Sequence, residues 1–146
     1  MRVKKWFFSH AGNTQQLSIK DLSKKLEKSL THNGFGDKDI TGNNSILEAQ
    51  GWYGDYKSDE AGKKEADALG VNHIVFGHDP GAFKEHGKLR QSTNGVLVKI
   101  DVAMGLHEKS GSGISPGAIL HVTTRGQDAA EILDERGQSS SLDNAP

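Results

Sequence analysis

Two short apolar runs in this chain end the same way. In VKKWFFSHAG, residues 3–12, and in VNHIVFGHDPG, residues 71–81, β-branched and aromatic residues give way to a histidine with glycine close by. Such runs predict strands over Val3–Ser9 and Val71–Gly77, each closed by turn-forming residues. In open α/β sheets, sites form just beyond the carboxyl ends of strands, and glycine there lets the backbone turn sharply. A neutral imidazole is a good ligand for divalent transition ions. His10 and His78 are therefore the candidate metal ligands. The plainer reading of each is a structural histidine capping a strand end. Two imidazoles also fall short of the roughly three or four ligands that most zinc-type sites use.

The remaining pattern sets a mixed α/β (α+β) fold around those strands. Ser18, three residues before Asp21, starts an approximate capping pattern, and Leu22, Leu26 and Leu30 recur at helical spacing, which predicts an amphipathic helix over 19–30. Residues 31–44 are rich in Gly, Asn and Asp and read as loop. A short helix running into an aromatic turn is expected over 45–56, and an alanine-bearing helix over 58–70, stopped at Gly70. Lys88–Thr93 and Val96–Asp101 flank Thr-Asn-Gly and predict a hairpin. Gly105–Gly117 reads as a flexible loop and Ala118–Thr124 as a last strand. Beyond it lie one weak helical patch, DAAEILDE, and a Ser-rich tail, so residues 125–146 are expected to be largely disordered.

Composition narrows the function classes. The chain has 146 residues, enough for one domain, but hydrophobic residues are 34% and glycines number 18, which implies a thin core with many turns. With no cysteine, disulfides, thiolate zinc sites and thiol nucleophiles are excluded. A net charge of −1 with dispersed basic residues gives no footprint for nucleic acid. No run is long and apolar enough to span a bilayer and none resembles a signal peptide, so no membrane contact and a cytoplasmic setting are expected. Neither a Gly-x-x-x-x-Gly-Lys phosphate loop nor a Gly-x-Ser-x-Gly elbow occurs. His32, His73, His86, His107 and His121 have no partner pattern and read as surface or structural residues.

Taken in order, WFFSHAG (Trp6–Gly12), GWYGDY (Gly51–Tyr56), HIVFGHDP (His73–Pro80) and NGVLVKIDVAMG (Asn94–Gly105) resemble the C-terminal half of calcineurin-like metallophosphoesterases, with the flavour of the serine/threonine protein phosphatase branch. The resemblance covers roughly residues 3–124. It implies half of a two-sheet sandwich of mixed strands flanked by helices. It also implies a two-metal centre of Mn, Fe or Zn, in which His10 and His78 each give one nitrogen to the second metal and a metal-activated water attacks a phosphomonoester.

The family's first-half motifs, Asp-x-His, Gly-Asp-x-x-Asp and Gly-Asn-His-Glu, do not occur in this sequence. The catalytic residues are accordingly unassigned, and the expectation is a half site whose activity needs complementation by an N-terminal half. The alternative is a non-catalytic binding or interaction domain derived from that family. Asp79 reads as a turn residue before Pro80. Trp52 and Tyr53 read as packing. Gln50 stands near the place of the branch's phosphate-binding arginine, and Arg90 and Lys84 read as solvated charges that could substitute for it. Asp101 reads equally as a strand terminator and as a hydrogen-bond partner of a loop or histidine. Expected partners are a phosphorylated protein or small molecule, and either a second copy or the missing half. Removing half of such a sandwich would leave unpaired strand edges and apolar surface, which favour association.

Overall fold

A computed structural model describes residues 1–54, 60–103, 117–125 and 129–142. Strands β1 (Arg2–Val3), β2 (Trp6–Phe8), β3 (His73–Phe76), β4 (Arg90–Gln91) and β5 (Leu97–Lys99) form a five-stranded sheet in the order β1-β2-β3-β5-β4. The three central strands β2, β3 and β5 run parallel, and the two edges are antiparallel. Strands β6 (Ile119–Thr123), β7 (Ala129–Leu133) and β8 (Ser139–Ser141) form a separate antiparallel sheet. The helices are α1 (Ile19–Asn33), the single turn α2 (Lys38–Thr41) and α3 (Glu60–Leu69).

Alternation along the central strands divides the core in two. Phe7, Ile74, Phe76 and Leu97 face Tyr53, Ala66, Leu69 and Phe83, with Ile19 and Leu22 of α1 and Trp52 packed against them. Trp6, Val75 and Val98 face the other way, onto Leu89, Val102, Ile132 and Leu142. The five-stranded sheet thus lies between a helical and aromatic layer and the three-stranded sheet. Burial on both faces explains why β3 reads as an unbroken apolar run.

The N-terminal strand differs from its expected single span. Lys4 and Lys5 form a two-residue turn with Lys4 at φ 48, and Arg2–Val3 fold back on Trp6–Phe7. The terminal ammonium of Met1 donates to Phe8 O at 2.7 Å, and Phe8 N donates to Met1 O at 2.7 Å. The outer edge of β2, expected to stand unpaired, is therefore covered by the chain's own first residues. Both edge strands are two residues long, too short to template much further pairing.

The C-terminal expectation also gives way. The weak helical patch is the strand β7, and Ser139–Ser141 form β8 rather than a disordered segment. Ala130 and Ile132 pair with Val122 and Leu120, so their side chains reach the sheet-facing core together. Period-two burial of those pairs overrides a local helical preference that about two helical turns' worth of residues cannot enforce. Residues 143–146 lie outside the described residues, as does the loop reading of 105–116 and its His107.

Helix α1 begins as expected: Ser18 Oγ accepts from Asp21 N at 3.1 Å and donates to Asp21 Oδ2 at 2.7 Å. Its apolar stripe drifts, because a four-residue step overshoots one helical turn. By the last turns Leu30 is exposed and Ser29 is buried in its place. The expected loop 31–44 contains a 3-10 turn at Gly34–Gly36 and α2, capped by Asp37, whose carboxylate accepts from Asp39 N. The helix expected over 45–56 is a series of turns as far as residue 54, and residues 55–59 lie outside the described residues. The Thr-Asn-Gly hairpin is present, closed by Gly95 N donating to Ser92 O at 2.8 Å.

Candidate metal centre at the strand ends

The parallel ladder between β2 and β3 continues past the last strand residues. Ser9 N donates to Val75 O at 3.1 Å and Gly77 N donates to His10 O at 2.8 Å. This register carries the two candidate histidines to the same sheet end, and the structure brings them together. His10 Nε2 lies 3.0 Å from His78 Nδ1, and the rings are tilted at 52° with centroids 4.8 Å apart. His78 sits at φ 68, a left-handed conformation that costs a residue with a Cβ of the order of 1 kcal/mol or more. That strain aims its ring at His10.

The segment after His10 is fastened by residues distant in sequence. Ala11 is fully buried. Its N–H donates to Ile46 O at 2.8 Å, and its carbonyl accepts from Trp52 Nε1 at 2.7 Å. Gly12, at φ 123, lies under the Trp52 ring, and a Cβ there would fall 2.2 Å from Trp52 Cζ2. Glycine in His-Ala-Gly is thus required by this close approach. The 45–49 turn places Glu48 beside the pair, with Oε2 3.5 Å from His78 Nε2.

Beneath the loop that follows His78 is an aromatic cluster. Tyr53 stacks on Phe76 at 5.2 Å, and Phe83 meets both rings edge-on at 5.5 and 5.8 Å. Trp52 packs on Phe76 at 5.3 Å, so Trp52 and Tyr53 are packing residues as expected. The Tyr53 hydroxyl donates to Asp79 Oδ2, and burial together with this bond pushes its pKa up to about 12. Asp79 Oδ1 accepts from Gly81 N at 2.9 Å, so Asp79 is the turn residue the sequence suggested. Asp101 Oδ1 likewise accepts from Ala103 N at 3.0 Å, serving its own loop. Arg90 Nη2 donates to Glu85 Oε1 at 3.0 Å, while Lys84 and Gln50 are exposed.

Lys99 is a residue the sequence reading passed over. It is fully buried on the aromatic side of β5. Its Nζ donates to Pro80 O at 2.9 Å and to Glu85 O, tying both ends of the 80–85 loop to the sheet. Burial lowers its pKa to about 8, against the opposing pull of Asp101, Asp79 and Glu85. The local run Val96–Lys99 does not alternate, since Leu97, Val98 and Lys99 are all buried, so it does not reveal that the lysine is turned inward. Glu48 carried no signal either, since its role depends on a turn 30 residues before His78.

His73 is structural, stacking on Trp6 at 4.0 Å and meeting Gly95 O through Nδ1 at 2.7 Å. His32 Nδ1 lies 2.8 Å from Lys28 O, and His121 Nδ1 lies 2.8 Å from Glu131 Oε1.

Whether this pair fits a metal ion can be judged from its spacing. Two imidazole nitrogens about 2.1 Å from one ion lie about 3 Å apart at a right angle and about 3.4 Å apart at a tetrahedral angle. The observed 3.0 Å equals the right-angle spacing in length, but it is the length of an imidazole–imidazole hydrogen bond in which one ring donates to the other. Glu48 faces the opposite nitrogen of His78, so it does not converge with the pair on one point. Among the described residues, no group of three or more His, Cys, Asp or Glu side chains is arranged to hold a metal ion. The pair thus offers two neighbouring ring nitrogens, and no complete cage for an ion is formed among the described residues. Compared with protein-family models, curated proteins and solved structures, the chain matches none.

Proposed function

We propose that this chain contributes His10 and His78 as two ligands of a divalent-metal centre that completes itself with groups from outside the described residues. The observation that carries the reading is the 3.0 Å approach of His10 Nε2 to His78 Nδ1 at the ends of adjacent parallel strands. The reaction class we propose is hydrolysis of phosphomonoesters of the calcineurin-like kind, in a cytoplasmic setting. A bound Mn, Fe or Zn ion would supply an activated water and neutralise charge on the phosphoryl oxygens. The chain's own residues orient: the β2–β3 ladder fixes the two imidazoles, and Ala11 and Trp52 hold the turn after His10. A sandwich of two sheets with helices outside is compatible with half of that class's fold, and the remaining ligands would come from an N-terminal half or a second copy.

One observation favours a second reading, metal binding without hydrolysis. Arg90 is engaged by Glu85, and Lys99 is turned inward onto backbone carbonyls, so neither is presented as a phosphate-gripping cation. Among the described residues no helix is long and apolar enough to cross a membrane.

Calorimetric titration of Mn2+ and Zn2+ into the chain, beside the double variant His10→Ala/His78→Ala, tests the centre. Micromolar binding lost in the double variant is expected. Absent binding, or binding that the substitutions leave unchanged, overturns it. Hydrolysis of p-nitrophenyl phosphate by the metal-loaded chain, alone and with an added N-terminal half, then separates the two readings.

A further inference from the structure

The pair can act as adjacent ligands only if His78 Nδ1 and His10 Nε2 both present lone pairs. A metal ion would therefore have to displace the hydrogen that His10 Nε2 donates to His78 Nδ1 in the metal-free chain. An imidazole protonated on Nδ1 would present a hydrogen there instead. We infer that Glu48 is a positioning residue that holds His78 as the tautomer protonated on Nε2. This rests on the metal-centre reading for its purpose, while the tautomer itself is a property of the metal-free chain.

The backbone that carries Glu48 is held in place, and its side chain, 46% exposed, reaches His78 as a 3.5 Å ion-pair contact. Ser45, almost fully buried, accepts through Oγ from Leu47 N at 3.3 Å and from Glu48 N at 3.1 Å. Ala49 N donates to Ser45 O at 3.1 Å, which closes the turn. The neighbouring Ile46 O accepts from Ala11 N, one residue beyond His10. The Glu48 backbone is thus fixed to the strand end that carries the first histidine. Its carboxylate lies 3.5 Å from the far nitrogen of the second.

A carboxylate at that position attracts the positive end of an N–H and repels a lone pair, so it favours hydrogen on Nε2. His78 Nδ1 is then left as acceptor toward His10 Nε2. A carboxylate behind a ligand histidine sets its tautomer and orientation in many metal sites, and loss of one lowers metal affinity by about 10-fold or more. Nothing in the local sequence ILEAQ marks Glu48 for this role.

The test is a long-range 1H–15N correlation spectrum of the metal-free, 15N-labelled chain, above the ordinary histidine titration range, with His78 assigned through His78→Ala. The native chain is expected to show His78 protonated on Nε2. Glu48→Ala, at a side chain 46% exposed and therefore little involved in packing, is expected to give a mixture of tautomers. Glu48→Gln, which keeps an acceptor oxygen without the charge, is expected to fall between them. Unchanged His78 nitrogen shifts in Glu48→Ala, or an Nδ1–H tautomer in the native chain, overturn the inference whatever the metal data show. Calorimetry with Mn2+ on the same samples is expected to show about 10-fold weaker binding for Glu48→Ala. A tautomer change with no metal bound by either chain would keep the Glu48 assignment and refute the metal centre instead.

Discussion

Lys99 offers the sharpest test of the fold around the site. Folding moves its ammonium out of water, and its pKa falls from the ordinary 10.5 to about 8. Below pH 8 both folded and unfolded chains carry the proton, and the folded state bears the full desolvation cost. Between pH 8 and 10.5 the unfolded chain binds more protons than the folded one, so stability rises with pH. The expected gain across that window is about 3 kcal/mol, from the free energy attached to each tenfold change in proton affinity. The assay is urea unfolding at a series of pH values, comparing the native chain with Lys99→Met. The variant loses the bonds to Pro80 O and Glu85 O, which offsets its whole curve without tilting it. The native curve should therefore rise relative to the variant's from pH 8 to 10.5. Curves that stay parallel across the window would show that the ammonium is not desolvated, and the buried position of Lys99 would be refuted.

Other outcomes follow from the same structure. Tyr53 titrates near 12 in the folded chain against 10 in its ordinary state, so its contribution is intact below pH 10 and is lost as pH rises toward 12; Tyr53→Phe should abolish that fall in a pH series of unfolding curves. Gly12→Ala would drive a Cβ into the Trp52 ring at a positive φ and should destabilise by about 3 kcal/mol in urea unfolding, weakening Mn2+ binding through His10 as well. Phe76→Ala removes the ring that Trp52, Tyr53 and Phe83 all pack on, with an expected loss of about 4 kcal/mol in the same assay. Val3→Pro removes a residue from the covering strand β1 and should raise the self-associated fraction in size-exclusion chromatography, because the outer edge of β2 would be opened.

The parts of the fold whose cause is local were legible along the chain. The apolar runs at Trp6–Phe8, His73–Phe76 and Leu97–Lys99, the Ser18 cap and the Asn-Gly turn each carry their signal within a few residues, and each appears where expected. The strand-end positions of His10 and His78 were legible for the same reason, since an apolar run giving way to a histidine with glycine close by places that histidine at the sheet's end. Tertiary structure alone decided what lies far apart in the chain. Only the parallel pairing of β2 with β3 sets His10 against His78, and only the Ala11–Ile46 bond brings Glu48 to them. The Ser-rich segment became a strand because backbone ladder bonds need no apolar side chains, and Leu142 then anchors it in the core. Lys99 became buried because its Nζ found two backbone carbonyls under a loop that the local run does not reveal. Local preferences are written along the chain, whereas the partners that satisfy a buried charge or complete a site are chosen by packing.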